Sequence, residues 1–223
     1  MYTIKELFDL SHTQAGAYLE KYTYPWEALE GLEAFIAALG ESLGREYIEL
    51  TPRVWVHTTA KIARTAYLAA PCIVGAGTEI RHYAFLRGGV LVGENCVIGN
   101  STELKNCVLF DRVQTPHYNY VGDSMLGYKA HLGAGAVTSN VKCDKTPVAV
   151  DAGVKKIQTG RKKIGAMLGD FVEVGCNSVL NPGTVVGRNT NIYPLSCVRG
   201  TVPADSIYKK DGSIIPKVFP KTY

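Results

Sequence analysis

Chemistry in this chain rests on a few polar residues set into a regular apolar pattern. The stretch QTPHYNYVGD, residues 114–123, contains His117. A histidine exchanges a proton near neutral pH and so can serve as general base toward an amine. A lone histidine is also a common structural residue, and residue type alone does not separate the two readings. Arg87 and Lys105 stand 18 residues apart. If the fold stacks them, two adjacent cations suit a phosphate; as separate solvated charges they interact weakly. His82, His117 and His131 raise a third chemistry, a zinc site, but they include no closely spaced pair. The six cysteines show no CxxC pair and read as reduced thiols.

The elements that position these groups follow from periodicity. From residue 56 the large apolar residues recur every six: Val56, Ile62, Leu68, Val74, Ile80, Leu86, Val92, Ile98, Leu104 and Phe110. Four places after each of the first nine comes a small or β-branched residue, among them Cys72, Thr78 and Cys96, and one place after come Gly75, Gly93 and Gly99, read as tight turns. A second block holds Leu126 and Leu132, then Leu168, Val174, Leu180, Val186, Ile192 and Val198. One inward aliphatic and one turn per short unit define a parallel β-solenoid, in which each coil covers the next. The two blocks do not share a phase. Counting on from Phe110 reaches Pro116, Gly122 and Tyr128, whereas the aliphatics available are Val121 and Leu126. Two residues are missing, and the count assigns the loss to HYNYVGD.

Four segments within residues 86–140 resemble the acetyltransferase domain of the bifunctional enzymes that make UDP-N-acetylglucosamine: LRGG at Leu86, GNSTELKN at Gly99, PHYNYVGD at Pro116 and LGAGAVTSN at Leu132. The wider hexapeptide-repeat resemblance covers about residues 54–203. It implies an all-β, left-handed parallel β-helix with 18-residue coils. It also implies acetyl transfer from acetyl-CoA to the amine of an amino-sugar 1-phosphate such as glucosamine or galactosamine 1-phosphate, in a homotrimer with active sites between subunits. Carried over by residue, the resemblance makes His117 the general base, Glu103 a nearby carboxylate and the Ala134 N–H an oxyanion donor. It assigns Arg87, Lys105, Tyr120 and Lys163 to the sugar phosphate and Asn140 to the acyl donor. Three positions differ from the family pattern. His131 stands where the family has a sugar-contacting asparagine, Val141 replaces an aromatic, and Cys176 replaces a small hydroxyl residue near the coenzyme.

Composition limits the alternatives. A chain of 223 residues with 46% apolar content can bury a sizeable core, and a net charge of +4 without basic runs argues against a nucleic-acid partner. No apolar run reaches the roughly 18 residues of a membrane span, and the N-terminus lacks a signal-peptide pattern, so a cytoplasmic location is expected. Residues 1–50 carry helical spacing (Trp26, Leu29, Leu32, Phe35, Ile36, Leu39) and are expected to cap the solenoid. The solenoid is assigned to residues 51–205 and a tail to 206–223, with a turn at Asp211-Gly212. An insertion at about 141–167 carries the cluster Arg161-Lys162-Lys163, either a solvated charge run or an arm that reaches phosphate or coenzyme. With helices in place of a nucleotide-binding α/β domain, pyrophosphorylase activity is not expected, and acetyl transfer requires no metal. The competing readings are a non-catalytic sugar-phosphate or sugar-nucleotide-binding trimeric module, and a zinc enzyme on the same scaffold.

Overall fold

The computed structural model describes residues 1–151, 153 and 156–218. It is a left-handed parallel β-helix whose coils have three short sides, here A, B and C, preceded by an N-terminal helical segment. Val56, Val74, Val92, Leu109, Leu126 and Leu168 stack inward on side A. Ile62, Ile80, Ile98 and Thr115 do so on side B, and Leu68, Leu86, Leu104, Val121 and Thr138 on side C. Parallel ladders join each side to its copy in the next coil, so the backbone hydrogen bonds run along the solenoid axis.

The count of missing residues is right, but their place is different. Val92 pairs with Leu109, not Phe110, and Leu109 pairs with Leu126. One residue is therefore lost between Leu104 and Leu109 and another between Val121 and Leu126, both at the corner joining side C to side A. The coil before turns this corner on Gly88 and Gly89, with φ of 92° and 62°. The two short coils turn it on a single left-handed residue each, Asn106 (φ 46°) and Asp123 (φ 48°). Strands Glu103–Leu109 and Tyr120–Leu126 consequently run unbroken around the corner. Phe110, released from the inner column, is fully buried outside it, with its ring centroid 4.9 Å from that of Phe8.

The glycines that follow the inward aliphatics have a different cause from the one expected. Gly75, Gly93 and Gly99 are not among the residues with positive φ; the left-handed turn residues lie three places after the aliphatic, as at Gly77, Asn95 and Asn177. The first set is needed because stacked backbone comes too close. A Cβ on Gly75 would lie 2.5 Å from the Gly93 carbonyl oxygen, and one on Gly99 would overlap Pro116 backbone at 1.5 Å.

The helical segment covers more than an end. Side A carries an outward apolar stripe, including Trp55, Ile73, Leu91, Val108, Met125 and Met167, and all of it is buried. The helix Leu32–Glu41 packs against the side A strands Cys72–Val74, Val90–Val92 and Glu103–Leu109, and the turn at Pro25–Leu29 packs against Tyr120–Leu126. Further along, the Asp170 N–H donates to the Leu7 carbonyl and the Ala204 N–H to Tyr2 Oη. The first coil is closed by β1 (Tyr47–Thr51) pairing antiparallel with β2 (Val54–His57). The insertion leaves and rejoins at the C–A corner and contains an antiparallel hairpin, Ala149–Asp151 with Lys156–Gln158. In the tail, Ser206–Tyr208 pairs antiparallel with Ile214–Pro216 around Gly212, at φ 83°. The rest of that tail, residues 219–223, and residues 152, 154 and 155 of the insertion lie outside the described residues.

Candidate active site

The residues singled out in the sequence fall into three places. At the corner between sides B and C, His117 ends the strand Gln114–His117 and stacks on Asn100. Its backbone is fixed from both sides: the His117 N–H donates to Asn119 Oδ1 at 3.1 Å, and its carbonyl accepts from the Gly135 N–H at 3.0 Å. Asn119 is buried and donates through Nδ2 to the carbonyls of Gly133 (2.8 Å) and Ala136 (3.0 Å). This ties the histidine strand to the turn that carries Ala134. The imidazole is exposed, while the Ala134 N–H donates to no group among the described residues and its carbonyl accepts from Asn177. Cys176 occupies the same corner one coil on, its exposed thiol beside Gly133.

The second group lies on side C and its corner with side A. Arg87 Nη1 donates to Glu103 Oε1 at 2.6 Å, and Lys105 Nζ lies 3.1 Å from Asp123 Oδ1. The stacked cations are thus each matched by a carboxylate. Asp123, only 2% exposed, also accepts from Asn106 Nδ2 at 2.8 Å and from Asn140 Nδ2. Asn140 donates as well to Tyr120 Oη at 3.1 Å. Glycine at 122 makes this possible, since a Cβ there would lie 2.4 Å from Tyr120 Oη and 2.9 Å from Asn140 Nδ2. Half-burial pushes the Tyr120 phenol above its ordinary pKa, reinforced by the Asp123 and Glu103 carboxylates. It therefore stays protonated well past neutrality and can donate. The hydrogen bond that Arg87 donates to Glu103 holds its guanidinium above its ordinary pKa. Lys163 lines a cleft of about 600 Å³ with Lys105 and Asp123, and the adjoining Ile164 N–H donates to the Asn140 carbonyl at 3.0 Å.

His131 is in neither place. It lies on side B, its Nδ1 2.7 Å from Glu173 Oε2, in a groove with Arg112 and Lys129. His82 Nδ1 is 2.9 Å from Thr65 Oγ1. Among the described residues of the single chain no three His, Cys, Asp or Glu side chains converge as metal ligands. No helix of the described residues is long and apolar enough to cross a membrane.

Sequence reasoning passed over Asn106, Asn119 and Asp123. Each is a polar side chain buried by the fold, and its sequence neighbours, Lys105 and Cys107, Tyr118 and Tyr120, and Gly122 and Ser124, offered no contrast to mark it.

Residues 68–158 match the family model described as the GMPPB C-terminal domain. The chain is 28% identical over 216 residues to the bifunctional protein GlmU of Methanococcus maripaludis strain C5, covering 95% of this chain and 52% of that protein. It is 29% identical to the bifunctional sugar-1-phosphate nucleotidylyltransferase/acetyltransferase of Sulfurisphaera tokodaii, covering 83% of this chain and 47% of that one. The chain is a β-helix built on hexapeptide repeats, and its sequence is similar to those of GlmU proteins. The domain spans about half the length of the curated relatives it matches. Among solved structures, the polySia-specific acetyltransferase NeuO aligns over 73% of this chain and 83% of its own, at 15% identity and a TM-score of 0.46.

Proposed function

We propose that this protein is an N-acetyltransferase that moves the acetyl group of acetyl-CoA to the amine of an amino-sugar 1-phosphate. The observation that carries the reading is the pinned His117–Ala134 corner beside a side C lined with Arg87, Glu103, Lys105, Tyr120 and Asn140. The related protein of Sulfurisphaera tokodaii is named for both sugar-1-phosphate and acetyltransferase chemistry.

In this reading His117 accepts the proton as the substrate nitrogen forms its bond to the thioester carbon. The Ala134 N–H donates to the carbonyl oxygen as negative charge builds there, a contribution of a few kcal/mol. The C–S bond then breaks and the thiolate leaves with a proton, giving amide and free coenzyme A. Arg87, Lys105 and Lys163 hold the phosphate, Glu103 and Tyr120 orient the sugar, and Asn140 and Cys176 face the acyl donor. No covalent enzyme intermediate is needed.

The distribution of residues supports a homotrimer with shared sites. His131 stands on side B, a different side from Tyr120, so its role toward the sugar requires side B of a second copy to face side C of the first. The B–C corner also exposes Tyr83 (65%), Tyr118 (64%) and Leu195 (56%) in one column, interleaved with Ser101, Gly135 and Asn177.

The test is thiol release from acetyl-CoA with a panel of amino-sugar 1-phosphates and their non-aminated counterparts. Release with an aminated member alone is expected. No release with any member rejects the enzyme reading in favour of a binding module.

A further inference from the structure

The cleft beside Lys105 and Asp123 has two walls from elsewhere in the chain. One is the N-terminal segment, with Glu30 and Glu33; the other is the insertion, with Arg161 and Lys163. Arg161 is an unusual side chain here. Its Nε is buried and has no hydrogen-bond partner among the described residues. Its Nη1 stands 3.8 Å from Glu30 Oε2, which is charge proximity without a hydrogen bond.

The backbone beneath it is firmly held. The Arg161 carbonyl accepts from the Val148 N–H at 2.7 Å, and the Arg161 N–H donates to Thr159 Oγ1 at 3.2 Å. The guanidinium is thus held at the cleft without a side-chain hydrogen bond among the described residues. The Arg161 side chain is 27% exposed while its Nε is buried, so the Nη groups are the donors open to an acceptor in the cleft. The Glu30 side chain is 88% exposed and can move away without burial cost. Lys162 and Lys163 line the same cleft, and neither is paired with a carboxylate among the described residues.

We propose that Arg161 binds the phosphate of the sugar substrate through its guanidinium fork, and that Glu30 is a placeholder counter-ion which the phosphate displaces. A guanidinium fork matches two phosphate oxygens, and a phosphate competes well against one loosely held carboxylate. This rests on the reading of the cleft as the sugar-phosphate site. It makes the N-terminal segment and the insertion parts of that site.

The experiment is titration of the full-length protein with inorganic phosphate, followed by phosphorus NMR, with no acyl donor present. R161M is expected to weaken phosphate binding about tenfold, and R161K, which keeps the charge but not the fork, by less. E30Q is expected to tighten binding about threefold, because the competing charge is gone. A pair that merely braces the insertion predicts the opposite pattern: both variants lower the melting temperature and leave phosphate affinity unchanged. That pattern, or no phosphate binding by the wild type, overturns the proposal. Bound phosphate should be displaced by glucosamine 1-phosphate; displacement by coenzyme A alone overturns the assignment to the sugar. The two readings fail separately. Phosphate binding with the expected variant pattern but no acetyl transfer rejects only the acetyltransferase, whereas turnover with unchanged affinity in R161M rejects only the role of Arg161.

Discussion

Lys105 and Asp123 meet across two successive coils, Nζ lying 3.1 and 3.2 Å from the two carboxylate oxygens, at the corner where each of those coils is one residue short. Asp123 is the hub of that corner, since Asn106 and Asn140 donate to it as well. Asp123→Ala leaves a partly buried ammonium and two amide donors without their acceptor. A loss of about 3 kcal/mol in unfolding free energy by urea titration is expected. Asp123→Asn, which keeps an acceptor oxygen but not the charge, should lose less; equal losses would place the whole effect on the charge, and no loss in Asp123→Asn would remove the charge from the account.

His117→Ala should lower thiol release about 10²- to 10⁴-fold while the far-ultraviolet circular dichroism stays unchanged. The imidazole is exposed, and the bonds that hold the corner run through the His117 backbone and the Asn119 side chain. Asn119→Ala removes those bonds and should lower both activity and stability. Full turnover in His117→Ala with every accepted substrate would falsify the general-base role.

Two glycine substitutions separate the two uses of glycine in this fold. Gly99→Ala places a methyl group 1.5 Å from the Pro116 carbonyl oxygen, backbone that cannot yield without separating two coils. It should cost at least about 3 kcal/mol. Gly160→Ala meets nothing within 4 Å but sits at φ 70°, and should cost about 1 kcal/mol. Similar melting temperatures for the two variants would contradict the stacking explanation.

Burial pushes the Cys72 and Cys96 thiols from 9.0 up to about 12. In the unfolded chain the same thiols ionise near their ordinary value. Above that value and below about 12 the folded state holds more protons, so stability is complete below pH 9 and falls as pH rises. Each thiol contributes a slope of about 1.4 kcal/mol per pH unit in this window. Urea midpoints measured across the window should decline, and Cys72→Ala should flatten the decline. An unchanged slope in that variant would exclude the thiol as a source.

The solenoid was legible because its inward column is written in aliphatics at fixed spacing. The short corner was not, for reasons that can be named. Phe110 continues the six-residue count while Leu109 takes the inward place, and both are apolar. Thr115 and Thr138 then occupy inward positions, so the count loses its markers where the phase changes. Of the site, Arg87 and Lys105 were legible as a stacked pair from their 18-residue separation, but their carboxylate partners were not paired with them. Asp123 comes from the second short coil, and its neighbour in space depends on the register that the sequence left ambiguous. The lengthwise path of the helical segment had a signal that periodicity overlooked. Side A reads Val-Trp-Val, Cys-Ile-Val and Val-Leu-Val, apolar on both faces, as strands covered on both sides do.

That path changes how the molecule comes apart. Coils that touch only their neighbours can melt singly from the ends, each with its own stability. Here Tyr2 is hydrogen-bonded to Ala204 and Leu7 to Asp170, and the helix Leu32–Glu41 packs on the first coils, so the segment runs as one strap along side A. Fraying of either end breaks contacts distant in sequence, and the whole repeat array is bound into one cooperative unit that forms slowly and yields all at once.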